Sequence, residues 1–250
     1  MNWGSLLWLG AALALLLLIE RWIHRHLQGV MLLLTGDSEI AVVLYALPLL
    51  PGILLHELSH ALAAILLGVH IGRISIRPKR ARQRIQLGFI PVEKTDAVRA
   101  SLIGLAPLLI GCLVILLIGY RVFGIGAMET ALATGDWGAV LTWLPEIPQA
   151  RDAWLWAYAV FAVSNTMLPS RADRQAWMPV LLFLLLVGAV FMATGLGPAV
   201  ASGLAAPLGT ALRWLAATCT MTIAADLLFV IPIALGERLL ERIRGMKVEY

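Results

Sequence analysis

Apolar runs about as long as a bilayer is thick recur along this chain, and nothing constrains its fold more. A helical span needs about 20 largely apolar residues. Stretches of that kind lie at roughly 3–20, 40–69, 98–120, 153–169, 177–195 and 210–236. A backbone that crosses lipid must satisfy its own hydrogen bonds, which helices do within one segment. The sequence therefore predicts an all-α polytopic membrane protein of about six transmembrane helices. It forms one domain over 1–250, in which no internal repeat is visible. Residues 1–19 contain no Lys or Arg, so the positive start of a signal peptide is missing and the first run is read as a retained span.

Composition agrees. The chain is 60% hydrophobic and 14% charged, with a mean hydropathy of +0.88. Soluble domains carry about 25% charged residues. The net charge of +4 does not point to nucleic acid, because the basic residues sit in short loops between apolar runs. Cys112 and Cys219 lie inside predicted spans and read as small core residues.

The basic loops set an orientation. Arg73, Arg77, Lys79, Arg80, Arg82 and Arg84 follow the second run, Arg171 and Arg174 the fourth, and Arg238, Arg242, Arg244 and Lys247 the sixth. With an even span count all three groups share one side, which the positive-inside rule makes cytoplasmic. Arg21 and Arg25 then fall on the other side, with 21–30 as a short interfacial helix. Within 72–91, apolar residues alternate with polar ones around a basic turn, the pattern of a small membrane-associated β-hairpin. Its edge would hold an extended peptide by strand addition, or its basic residues would meet anionic headgroups. Residues 125–150, with Trp137 and Trp143, read as an interfacial helix and loop, and 195–209, rich in Gly, Ala and Pro, as a loop or tight hairpin.

The second run carries the chemistry. His56 and His60 are four residues apart, about 40° around a helix and one turn along it, so both imidazoles can face one ion. Glu57 beside them can reach a water on that ion. The pattern His-Glu-x-x-His on a helix supplies two zinc ligands and a general base. Ionisable groups are costly in lipid and mark functional sites there. A catalytic zinc has three protein ligands and one open position. Leu66 stands where the metzincin pattern needs its third histidine, and His70 lies nearly three turns past His60. Asp226 lies in the sixth run near the depth of His56, and is a candidate for third ligand, for partner of a ligating histidine, or for contact with Thr220 and Thr222.

A long apolar helix with His-Glu-x-x-His, a basic hairpin after it, and a later span closing on Asn165, Pro169 and Asp173 resembles the site-2 protease family of intramembrane zinc proteases. Here the interval from Asn165 to Asp173 fits the family's second motif, the proline stands one place late, and Arg174 replaces a glycine. The resemblance covers about 40–174 and points to the compact six-span branch without PDZ or CBS domains. It implies Asp173 as third ligand and Asn165 as a residue that holds substrate or site. It further implies one zinc per chain, and hydrolysis of a peptide bond in or near the transmembrane segment of another membrane protein. On this reading the chain is a multi-pass protein of a bacterial plasma membrane, its active site toward the cytoplasm. A zinc-binding membrane scaffold or transporter subunit without protease activity is the alternative. Glu57 has no purpose there, and the paired, interrupted halves of a transporter are not seen.

Overall fold

A computed structural model describes residues 3–72, 79–81, 84–86, 95–126, 151–170 and 172–248. Its elements run in the order α1 (Trp3–Thr35), α2 (Ser38–Ala46), α3 (Leu50–Leu66), β1 (Lys79–Ala81), β2 (Arg84–Gln86), α4 (Ala97–Arg121), α5 (Ala153–Met167), α6 (Trp177–Ala193) and α7 (Gly197–Arg244).

The breaks between helices have local causes. Gly36, at φ 70°, ends α1 in the left-handed region, and Asp37 caps α2 by accepting from the Glu39 and Ile40 amides. Pro48 and Pro51 flank the break between α2 and α3, whose axes bend by 73°. A proline lacks the amide that would continue the first helix and suits the start of the second. Gly68, at φ 68°, follows the end of α3, and Asp96 caps α4 through the Val98 and Arg99 amides. α5 stops before Pro169, because the residue preceding a proline disfavours helical backbone; Leu168 is extended, at φ −66° and ψ 133°.

α5 lies at the centre. Val160, Phe161, Ala162 and Ser164 are almost wholly buried, and α3, α4 and α7 pack around it. α1 lies along α7. Leu9 and Leu16 pack near Leu212, Leu215 and Cys219; Ile23 packs near Phe229 and Val230; His26 meets Glu237; and Arg244 donates to the Leu34 carbonyl. Rising numbers on one helix meet rising numbers on the other, so the two run parallel.

Among the described residues three helices, α1, α4 and α7, are long and apolar enough to cross a membrane, and the bent pair α2–α3 makes a fourth if counted as one span. These long apolar helices mark the chain as a membrane protein. Leu181 to Leu186 on α6 are all at least half exposed, an apolar surface too large for water and suited to lipid.

Several expectations change. Six spans are not shown: α5 and α6 have 15 and 17 residues, and the second run is the bent pair. The interfacial helix expected at 21–30 is the unbroken continuation of α1, since no proline or glycine interrupts that stretch before Gly29. The loop expected at 195–209 shrinks to the turn around Gly195 (φ 77°), and 197–209 opens the 48-residue α7. Pro198 is tolerated there because the first helical residues need no amide partner. Of the hairpin expected over 72–91, one antiparallel pair is described, Lys79 opposite Gln86, Arg80 opposite Ile85 and Ala81 opposite Arg84. The rest of that segment, and nearly all of the interfacial stretch expected at 125–150, fall outside the described residues.

Candidate metal centre

His56 and His60 lie on the inner face of α3, one turn apart. Their Nε2 atoms are 3.1 Å apart. Asp173 reaches them from the turn after α5, with Oδ1 3.2 Å from His60 Nε2 and Oδ2 4.0 Å from His56 Nε2. Donors around a tetrahedral zinc, at bond lengths of about 2.0–2.1 Å, stand about 3.3 Å from one another. The three side chains therefore have the spacing of a three-donor zinc site, and among the described residues they are the group of this kind.

The protonation of the imidazoles follows from their other contacts. His56 Nδ1 lies 2.7 Å from the Thr166 carbonyl, and His60 Nδ1 lies 2.9 Å from the Ile103 carbonyl. A carbonyl only accepts, so each Nδ1 carries the proton and donates it. Both Nε2 atoms then hold lone pairs, directed at each other and at a carboxylate. A cation among them resolves that arrangement. Ligating histidines are oriented in this way by carbonyls behind them.

The end of α5 supplies part of this geometry. In a continuing helix the Ser170 amide would donate to the Thr166 carbonyl. The break at Pro169 separates them. The carbonyl turns to His56, and the Ser170 amide donates to Asp173 Oδ2 at 2.7 Å.

Glycines let the backbones approach. A Cβ on Gly52 would collide with the Ala162 carbonyl and Thr166 Oγ1, so Gly52 is what brings α3 against the end of α5. A Cβ on Gly104 would collide with the Asp173 carbonyl, so α4 accepts the turn only at a glycine.

The remaining candidates fall in two places. Glu57 is half-buried on α3 and lies within electrostatic range of His60. Asn165 and Asp226 are away from the three donors and meet each other. Asn165 Nδ2 donates to Asp226 Oδ1 at 2.8 Å and to the Phe161 carbonyl at 2.9 Å, and Ser164 Oγ donates to Asp226 Oδ1 at 3.2 Å. Among the described hydrogen bonds and ion pairs, Asp226 meets neither His56 nor His60. Neither threonine hydroxyl is hydrogen-bonded to Asp226: Thr220 Oγ1 donates to the Ala216 carbonyl, and Thr222 Oγ1 has no partner among the described residues. Asp226 makes its hydrogen bonds across to α5.

Sequence reasoning missed Thr166 and Ile103, which act through carbonyls that any residue offers. It also missed Gly52 and Gly104; glycine inside an apolar helix is a signal of close packing. No family model matches the chain, and no curated protein or solved structure matches it.

Proposed function

We propose that the chain is an intramembrane zinc metalloprotease, similar to the site-2 protease family, that hydrolyses a peptide bond in or near the transmembrane segment of another membrane protein. One observation carries the reading: His56 Nε2, His60 Nε2 and the Asp173 carboxylate converge, with both Nδ1 protons engaged by backbone carbonyls, on a helix that has Glu57 beside His56. Two imidazoles and one carboxylate suit zinc, and three donors leave a position open for chemistry.

When bound, zinc would supply a Lewis acid for the scissile carbonyl and lower the pKa of a nucleophilic water. The protein's own groups do the rest. The Thr166 and Ile103 carbonyls keep the imidazoles in one tautomer and orientation. Ser170 holds the Asp173 carboxylate from behind. Glu57 takes the proton of the attacking water and returns it to the leaving amine. The substrate must present an unwound segment, because helical carbonyls are engaged in hydrogen bonds. The edge of the β1–β2 pair, which follows α3 in the chain, offers a place for it.

In the bilayer we read α1, α4, α5, α6 and α7 as spans and α2–α3 as a re-entrant pair that enters and leaves on the basic, cytoplasmic side. The parallel course of α1 and α7 and the 73° bend support this.

The test is Glu57→Gln, which keeps size and removes the base. Zinc is expected to stay at about one per chain, and cleavage to be lost. Comparing the membrane proteomes of cells carrying wild type or Glu57→Gln identifies the uncut substrate as a protein that accumulates. Freshly purified chain without a transition metal, or identical membrane proteomes, would defeat the proposal.

A further inference from the structure

The last turn of α5 has two carbonyls, of Asn165 and Thr166, that no amide of its own helix engages. Pro169 has no amide for the Asn165 carbonyl, and the Ser170 amide that would serve the Thr166 carbonyl is committed to Asp173. A helix end released in this way frays unless something outside it takes over. Yet this turn carries the Thr166 carbonyl that orients His56, and its position must be fixed to a fraction of an ångström for a metal site to hold.

What takes over comes from α7. Asp226 is fully buried, and its Oδ1 accepts from Asn165 Nδ2 at 2.8 Å; the Ser164 hydroxyl lies between that oxygen, at 3.2 Å, and the Phe161 carbonyl, at 2.9 Å. Asn165 is in turn tied to the Phe161 carbonyl one turn earlier. One acceptor on α7 thus holds the α5 residues on the N-terminal side of Thr166. His24 of α1 is also within hydrogen-bonding reach of the Asn165 backbone, and its Nδ1 lies 2.5 Å from the Tyr45 hydroxyl of α2. Placing an acid in a membrane bundle is costly, so the residue is expected to have a specific task.

We infer that Asp226 is a positioning residue for the metal centre: by holding Ser164 and Asn165 it fixes the α5 terminus and, through the Thr166 carbonyl, the orientation of His56. The inference rests on the reading of His56, His60 and Asp173 as a metal site. It gives Asp226 a role that involves no contact with metal or substrate, and gives the Asn165 side chain a task within the scaffold.

The experiment uses the full chain in detergent, with zinc alone as the probe for affinity, by chelator competition, and cobalt as a spectroscopic reporter of ligand geometry. Asp226→Ala is expected to weaken zinc binding by about tenfold, the low end of the effect of removing a group that supports a ligating histidine, and to change the cobalt absorption spectrum. Saturation at about one zinc per chain is kept. Asp226→Asn still offers an oxygen to Asn165 and Ser164, and is expected to restore both readouts. Should Asp226→Ala fail to fold, Asn165→Ala reports on the same link and is expected to give the same loss. Zinc affinity and cobalt spectrum unchanged in Asp226→Ala or Asn165→Ala, whatever happens to melting temperature, overturns the inference alone. A wild-type chain that binds no zinc overturns the metal-centre reading and this inference with it.

Discussion

Pro169 does two jobs at once. It denies α5 the amide that would continue the helix, and it frees one carbonyl and one amide that the centre then uses. His56, His60 and Asp173 each bring one donor atom to the same point, and with three donors no one of them is spare. His56→Ala, His60→Ala and Asp173→Ala are therefore each expected to take zinc content from about one per chain to near zero in freshly purified protein, measured by elemental analysis. Full zinc content in Asp173→Ala would remove that residue from the ligand set. The two histidines were legible in the sequence because four residues of helix fix their relation, whatever the rest of the fold does. Asp173 was legible only through the family resemblance and the proline. Nothing in its own neighbourhood says that the chain turns back to reach α3. The carbonyls of Thr166 and Ile103 were not legible at all, because a backbone acceptor has no residue type.

At the scale of elements, the centre is a junction of α3, α4, α5 and the turn after α5, and glycine sets how closely they meet. Gly104 faces the Asp173 carbonyl so tightly that any side chain there must push the turn away from α4. Overpacking of this kind costs about 1–3 kcal/mol, and the turn, held by fewer contacts than the helices, is what moves. Gly104→Ala is expected to weaken zinc binding by displacing Asp173, with the helical circular dichroism retained. Gly188→Ala on α6, where a methyl group meets nothing within 4 Å, is the control and should behave as wild type. Equal zinc affinity in the two variants would show that the turn tolerates the displacement. The individual apolar helices were readable from hydropathy, but their ends were less so. α1 continues past 20 because Glu20, Arg21 and Arg25 look like a span's end in sequence while their backbone stays helical. The long α7 shows the reverse: Gly, Ala and Pro in 195–209 suggest a loop, yet only Gly195 adopts a conformation that ends a helix.

For the whole molecule, counting apolar runs treats each as one crossing, and here that assumption meets the packing. An even count puts both termini on one side and makes the first and last spans antiparallel. The contacts between α1 and α7 instead rise together, from Leu9 beside Leu212 to Leu34 beside Arg244. If both helices cross, the N-terminus lies opposite the C-terminus. The number of crossings is then odd, and the element best suited to turn back is α2–α3, bent by 73° at Pro48 and Pro51. This arrangement also brings Arg21 and Arg25, which an even count strands on the outer face, to the same end of the bundle as Arg238, Arg242 and Arg244. Most of the basic residues then lie on one side, as the positive-inside rule asks; Arg121, at the end of α4, and Arg151, just before α5, fall on the other. His56, His60 and Asp173 lie where α3, the end of α5 and the start of α4 meet; on the proposed topology that is near the basic side, from which water would reach them without crossing the bilayer. Cysteines introduced at Arg80, Arg242 and Ser5, in a chain with Cys112 and Cys219 replaced, test this with a membrane-impermeant thiol reagent in intact and opened cells. Positions 80 and 242 are expected to react only once the cytoplasmic face is exposed, and position 5 in intact cells. Labelling of 5 and 242 from the same face would restore the even count and make α2–α3 a full, kinked span.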